Sequence, residues 1–229
     1  MNTEANTSEW VEAFQKSHSF GWLMKMRLMF KRMAFFDLIT DRSLSVVDVG
    51  CGTGDFVRTL REMGYSNARG IEYDQRLIPD DLNEYVDQGS ATNLPYADNS
   101  VDVICFFNVL HHLLNVDQYL ATMGEVDRCL KPGGTLVILE PDKPWFYQLT
   151  MVGAWVLSPV MSVAGLIYTE IHDERELLAY FFANAKVFKE FTSKKNYKII
   201  RDRCFMHQWI HVVEKPMPEE NRQVLKSTS

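Results

Sequence analysis

The sequence predicts an α/β fold, a mostly parallel sheet covered by helices on both faces. Three observations lead there. Between about residues 44 and 140, short apolar runs alternate with segments of helical period. The run Val101 to Phe107 is apolar nearly throughout, as a strand buried on both faces must be. The joints carry glycine or proline, at Gly64, Pro79, Pro95 and Pro132.

In chain order, residues 8–38 read as helix, bent around Ser17 to Gly21. Val46, Val47 and Val49 form a β-branched run ending at Gly50. Phe56, Leu60 and Met63 recur at helical spacing, with Gly64 where a C-cap glycine belongs. A second strand leads to Gly70-Ile71-Glu72. After the strand 101–107, Val116, Leu120, Met123, Val126 and Leu130 define one helical face, and Lys131 to Gly134 read as its stop and turn. Leu136 to Leu139 make another short strand. Residues 145–168 carry no charged side chain, and Asp173 suits the N-cap of a helix that continues to about Ser193. Ile199–Phe205 and Trp209–Val213 are expected as a hairpin at the sheet edge. The expected organisation is a helical cap over 1–40, a main domain over 41–215 with an insert at 144–172, and a frayed tail over 216–229.

The chain has 229 residues, 46% of them apolar, enough for a core and unlike a disordered chain. Its net charge of −6 and pI near 5.5 argue against a nucleic-acid partner, which calls for a basic excess. Cys51, Cys105, Cys129 and Cys204 form no CxxC pair and no cluster with metal-ligand spacing, so no metal is expected. The opening residues lack the positive start and apolar core of a secretory signal, and a cytoplasmic location is expected.

The sharpest motif is Asp48-Val49-Gly50-Cys51-Gly52-Thr53-Gly54 between a strand and a helix. Glycines there let a ligand approach the main chain. An acid, Glu72, follows at the end of the next strand, where such folds bind ribose hydroxyls. The dinucleotide fingerprint is G-x-G-x-x-G, whereas this loop is G-x-G-x-G followed by Asp55. Asp48 and Asp55 flank it with negative charge and no basic residue lies in it. A pyrophosphate is disfavoured there, and a nucleoside carrying an ammonium and a sulfonium is favoured. Asp55 also suits the first turn of a helix as a complement to its dipole.

These residues resemble the class I S-adenosylmethionine-dependent methyltransferases, most nearly the small-molecule branch that includes the quinone-biosynthesis enzymes. The resemblance runs over residues 44–141: the loop at 46–54, Gly70 to Asp74, Leu94-Pro95-Tyr96 with Asn99 to Ile104, Asn108 to Leu113, and Leu130 to Gly134. It implies a Rossmann-like, doubly wound, seven-stranded sheet with S-adenosylmethionine as cofactor and S-adenosylhomocysteine as product. By the same resemblance Gly50, Cys51 and Gly52 present backbone to the methionine part, Asp48 orients the loop and the amino group, and Glu72 holds the ribose. Tyr73 covers the adenine. Ser90-Ala91 stands where the family often has Asp-Ala, which weakens the contact to the adenine amino group. Phe107 and Asn108 border the methyl group.

Methyl transfer needs alignment above all, and a base only where the acceptor must lose a proton. His111 and His172 are the candidates for that role, with His112 and Glu140 behind them, while His207 and His211 read as surface or packing residues. The stretch Trp145 to Tyr168 is long enough to span a bilayer by length alone, but Gln148, Pro159 and several hydroxyls dilute it. A cover over a hydrophobic acceptor is expected, with contact to a membrane surface as the alternative. The basic residues Lys25, Arg27, Lys31 and Arg32 do not share one helical face, which argues against an interfacial N-terminal helix. A noncatalytic S-adenosylmethionine-binding sensor or scaffold is the first rival. A protein or nucleic-acid methyltransferase is disfavoured because the chain reads Phe106-Phe107-Asn108-Val109 where amide- and base-methylating enzymes carry Asp/Asn-Pro-Pro-Tyr. An NAD-dependent dehydrogenase is disfavoured by the loop pattern.

Overall fold

A computed structural model of the protein describes residues 31, 34–157, 162–205 and 207–218. Most of the expected N-terminal cap, and the tail beyond 218, lie outside the described residues. The centre is one seven-stranded sheet of β1 (Val46–Val49), β2 (Ala68–Glu72), β3 (Val86–Gln88), β4 (Val101–Phe107), β5 (Leu130–Pro141), β6 (Lys198–Phe205) and β7 (Gln208–Glu214). Their spatial order is β3-β2-β1-β4-β5-β7-β6. The first five run parallel, and β7 is antiparallel to both its neighbours. The helices are α1 (Asp55–Glu62), α2 (Val116–Cys129), α3 (Pro144–Leu157), α4 (Ser162–Asn184) and α5 (Lys186–Lys194).

Strand alternation splits the core in two. Val47, Val49, Ile104, Phe106 and Ile138 face α2, α4 and α5 through Tyr119, Met123, Phe181 and Phe188. Val46, Val103, Cys105, Val137 and Leu139 face α1 and the segment at Phe35. Both faces are therefore dry, which is why these strands read as unbroken apolar runs.

The hairpin of β6 and β7 forms at the sheet edge, as expected, with β7 between β5 and the outermost β6. Trp209 to Val213 are buried, while Lys198, Asp202 and Arg203 suit β6 to the open edge. On α2 the buried face is Tyr119, Thr122, Met123, Val126 and Cys129, and Leu120 is 45% exposed. The large Tyr119 ring takes the inward place. Residues 131–134 are no simple stop: Leu130 already pairs with Val101, and β5 bends past Gly133, at φ 78°, before pairing again from Thr135. No helix starts at Asp173. Helix α4 runs unbroken through it, because no proline interrupts Ser162 to Asn184 and its later turns are anchored by Leu178 and Phe181. The expected end of the insert at 172 thus falls inside a helix. Helices α3 and α4 pack on one another, and Phe146 stacks on His207 at 4.4 Å, tying the insert to the β6–β7 turn.

Candidate cofactor and acceptor site

Strand order reverses between β1 and β4, and crevices at such points bind ligands beyond the carboxyl ends of the strands. The loop after β1 is built there. Gly50 adopts φ 69°, and a Cβ on it would come within 2.5 Å of the Val109 side chain, so only glycine fits. The Gly50 and Cys51 N–H groups donate to the Ile71 carbonyl at 2.7 and 3.1 Å. Gly70 keeps the next strand close, since a Cβ there would meet Cys51 Sγ at 2.6 Å.

Glu72 closes the same corner. It is buried and accepts from the N–H groups of Gly52 at 2.8 Å and Asp74 at 2.9 Å. Burial pushes its carboxyl up, against the pull of those donors. Tyr73 beside it is 77% exposed. Asp48, in the middle of β1, is 1% exposed, and among the described residues neither carboxylate oxygen meets a hydrogen-bond partner. Burial raises its carboxyl to about 6, opposed by the charge of Lys31. The Lys31 ammonium lies 5.3 Å from the Phe56 ring centre and 5.2 Å from that of Phe107. Asn108 follows Phe107 in the left-handed region, φ 58°, with a buried side-chain oxygen that also finds no partner among the described residues. Ser90 is turned onto Thr92, whose hydroxyl is 2.9 Å away, and Ala91 packs against the core.

A second group forms after β4. The fully buried carboxylate of Glu140, on β5, accepts from the Val109 and Leu110 N–H groups, both at 2.7 Å. Its other oxygen lies 2.7 Å from His111 Nδ1. His111 Nε2 points toward Glu174 Oε2 at 3.6 Å, and His112 Nε2 toward Glu174 Oε1 at 3.7 Å. Burial alone would depress the His111 imidazolium, but Glu140 and Glu174 outweigh it and hold it up at about 10. Burial and the neighbouring His111 charge push His112 down to about 4.

Asp48, Gly50, Cys51, Gly52, Glu72, Phe107 and Asn108 thus gather around the ends of β1, β2 and β4. His111 joins Glu140, His112 and Glu174. His172 does not: its partners are neighbours on its own helix, Asp173 at 3.3 Å, Arg175 at 3.0 Å and the stacked Tyr168. Glu174 escaped the sequence reading because Asp173-Glu174-Arg175-Glu176 looks like a solvated charge run. His211 is buried beside Trp209, in keeping with a packing role. A cavity of about 310 Å³ between α5 and β6, lined by Lys189, Tyr197 and Asp202 among others, lies toward the other edge of the sheet.

Residues 47–138 match the model of a family described as a methyltransferase domain. A demethylmenaquinone methyltransferase of Staphylococcus saprophyticus is 29% identical over 171 residues, 69% of this chain and 72% of the relative. One from Staphylococcus aureus is 26% identical over 189 residues, 77% of each. A solved structure from Methanococcus maripaludis, provisionally described as an S-adenosyl-L-methionine-dependent methyltransferase, superposes with a TM-score of 0.61 at 16% identity. It covers 91% of this chain and 93% of its own, and speaks for the fold.

Proposed function

We infer that this chain, a class I S-adenosylmethionine-dependent methyltransferase, methylates a small hydrophobic acceptor of the quinone or aromatic type. The observation that carries the reading is Asp48. A buried carboxylate with no hydrogen bond costs several kcal/mol unless a cation stands beside it. Its carboxyl stays raised to about 6 even with the charge of Lys31 opposing the rise, and the ammonium of the cofactor would bring a further cation, so the residues present fit S-adenosylmethionine. Gly50, Cys51 and Gly52 hold its methionine part by backbone, Glu72 keeps lone pairs for ribose hydroxyls, and Tyr73 lies over the adenine near Ser90 and Ala91. When bound, the cofactor brings an electrophilic methyl on a sulfonium. Phe107 and Asn108 border that position, and His111, fixed by Glu140, faces the acceptor beyond them.

The acceptor class rests on the names of the relatives and on α3. Trp145, Leu149, Val152 and Val156 recur at helical spacing on one stripe, and each is more than half exposed. An uncharged stripe of that size facing outward, with a tryptophan near either end of the helix, suits the surface of a bilayer from which an apolar acceptor is drawn. Among the described residues no helix is long and apolar enough to cross a membrane, so the contact is peripheral.

Parallel calorimetric titrations with S-adenosylmethionine, S-adenosylhomocysteine and NAD test the cofactor, with a turnover screen for the acceptor. We expect both adenosyl ligands to bind, NAD not to, and methylated product from phenolic or quinol acceptors. Turnover only with amines or sugars would refute the acceptor class. Cofactor binding without product from any acceptor would favour a sensor.

A further inference from the structure

We propose that His111, His112 and Glu174 form a site for a divalent transition ion of the zinc type, at the acceptor end of the sheet. Their ligating atoms all lie within 4.8 Å of one another. The two oxygens of Glu174 each face one imidazole Nε2, at 3.6 and 3.7 Å. Those separations are long for hydrogen bonds. They are within a few tenths of an ångström of the roughly 3.0–3.5 Å between adjacent ligands of an ion bound at about 2.0–2.2 Å.

Glu140 supplies an independent observation. Its buried carboxylate lies 2.7 Å from His111 Nδ1, which fixes the ring and aims Nε2 at the cluster. A metal-ligating histidine ordinarily has this carboxylate behind it. The backing is itself rigid, because Glu140 also accepts the Val109 and Leu110 N–H groups. Two imidazoles and one carboxylate select zinc, cobalt, nickel or iron over magnesium or calcium. Three protein ligands leave positions open for an oxygen of a bound molecule. On binding, the ion takes the place of any proton on His111 Nε2, which is released to solvent.

Two of the three ligands are on the turn that follows Phe107 and Asn108, so an ion there would polarise an acceptor hydroxyl facing the methyl donor. That part rests on the methyltransferase reading, whereas ion binding does not. The spacing of the sequence held no sign of the site because its third ligand comes from α4, far along the chain.

The test is titration of chelator-stripped full-length protein with Zn²⁺ by calorimetry and with Co²⁺ by visible absorption, with S-adenosylmethionine titrated into the same samples. The expected result is one ion per chain and a ligand-field spectrum for Co²⁺. His112→Ala and Glu174→Gln should each weaken Zn²⁺ binding at least tenfold, and Glu140→Gln by roughly 10- to 100-fold. His207→Gln should leave it unchanged. Circular dichroism checks each variant for fold, and Glu174→Gln, on a helix surface, stands in if His112→Ala does not fold. No stoichiometric ion in protein that still binds S-adenosylmethionine would overturn the metal site alone. An ion that binds the two ligand variants as tightly as the parent would overturn it too. An ion bound by a chain that takes no S-adenosylmethionine would sustain the site and remove the methyltransferase reading, and binding of neither would end both.

Discussion

Among the described residues no donor meets either oxygen of Asp48, and its carboxyl is raised to about 6 against 3.8 for an ordinary aspartate. Between about pH 4 and 6 the native state therefore holds more protons than the unfolded chain. Stability falls as pH rises through that window and is level above it, a loss of roughly 3 kcal/mol for a shift of about two pH units. Asp48→Asn should consequently be more stable than the parent at pH 7.5, with the advantage vanishing toward pH 4 in denaturant melts. The same variant should bind S-adenosylmethionine at least tenfold more weakly, because it offers no charge to the ammonium. A less stable variant at pH 7.5 would mean that the ionised carboxylate has a partner. On the proposed cofactor site, Glu72→Ala would remove the acceptor of ribose hydroxyls, whose charge-assisted bonds are worth about 1.5–3 kcal/mol each. We expect calorimetry to show a loss of roughly 10- to 100-fold in affinity. Unchanged affinity would dissociate Glu72 from the ribose.

At the scale of elements, two segments are held by opposite means. The turn after β4 depends on one side chain from β5, since Glu140 receives Val109 N–H, Leu110 N–H and the His111 ring. Glu140→Ala takes the acceptor from the Val109 and Leu110 N–H groups and the partner from the His111 ring, at about 1–3 kcal/mol for each group left buried and unpaired, and should lower the thermal midpoint clearly. A midpoint unmoved by the change would show that water or backbone replaces the carboxylate. Helix α3 has the reverse character: its outer stripe contributes nothing to the core. Leu149→Glu with Val152→Glu should shift stability by no more than about 1 kcal/mol, two exposed sites at roughly 0.5 each. Co-sedimentation with phospholipid vesicles should fall severalfold. Equal sedimentation of parent and variant would reassign the stripe.

For the whole molecule, the proposed cofactor crevice joins β1, β2 and β4, so a ligand bound there would crosslink the middle of the sheet. S-adenosylmethionine at 100 times its dissociation constant should stabilise the fold by about 2.7 kcal/mol. For a chain of this length that raises the thermal midpoint by several degrees. NAD at the same concentration should not, and an equal shift with NAD would point to a dinucleotide site.

Much of this was legible in the chain itself. Val101–Phe107 reads as a buried strand because its residues other than Asp102 are apolar and tolerate a dry face, a property of the segment alone. The glycines of the loop from Asp48 to Gly54 were equally plain, since positive φ limits Gly50, Gly52 and Gly54 to glycine. What the sequence left open was decided by packing between distant segments. Tyr119 rather than Leu120 turns inward because of the rings it meets from α4 and α5. Strand β7 enters the sheet because its apolar residues pair with β5. His111 rather than His172 joins the site because Glu140 and Glu174 reach it from β5 and α4. Local sterics are written in neighbouring residues, whereas the company a side chain keeps exists only once the chain has folded.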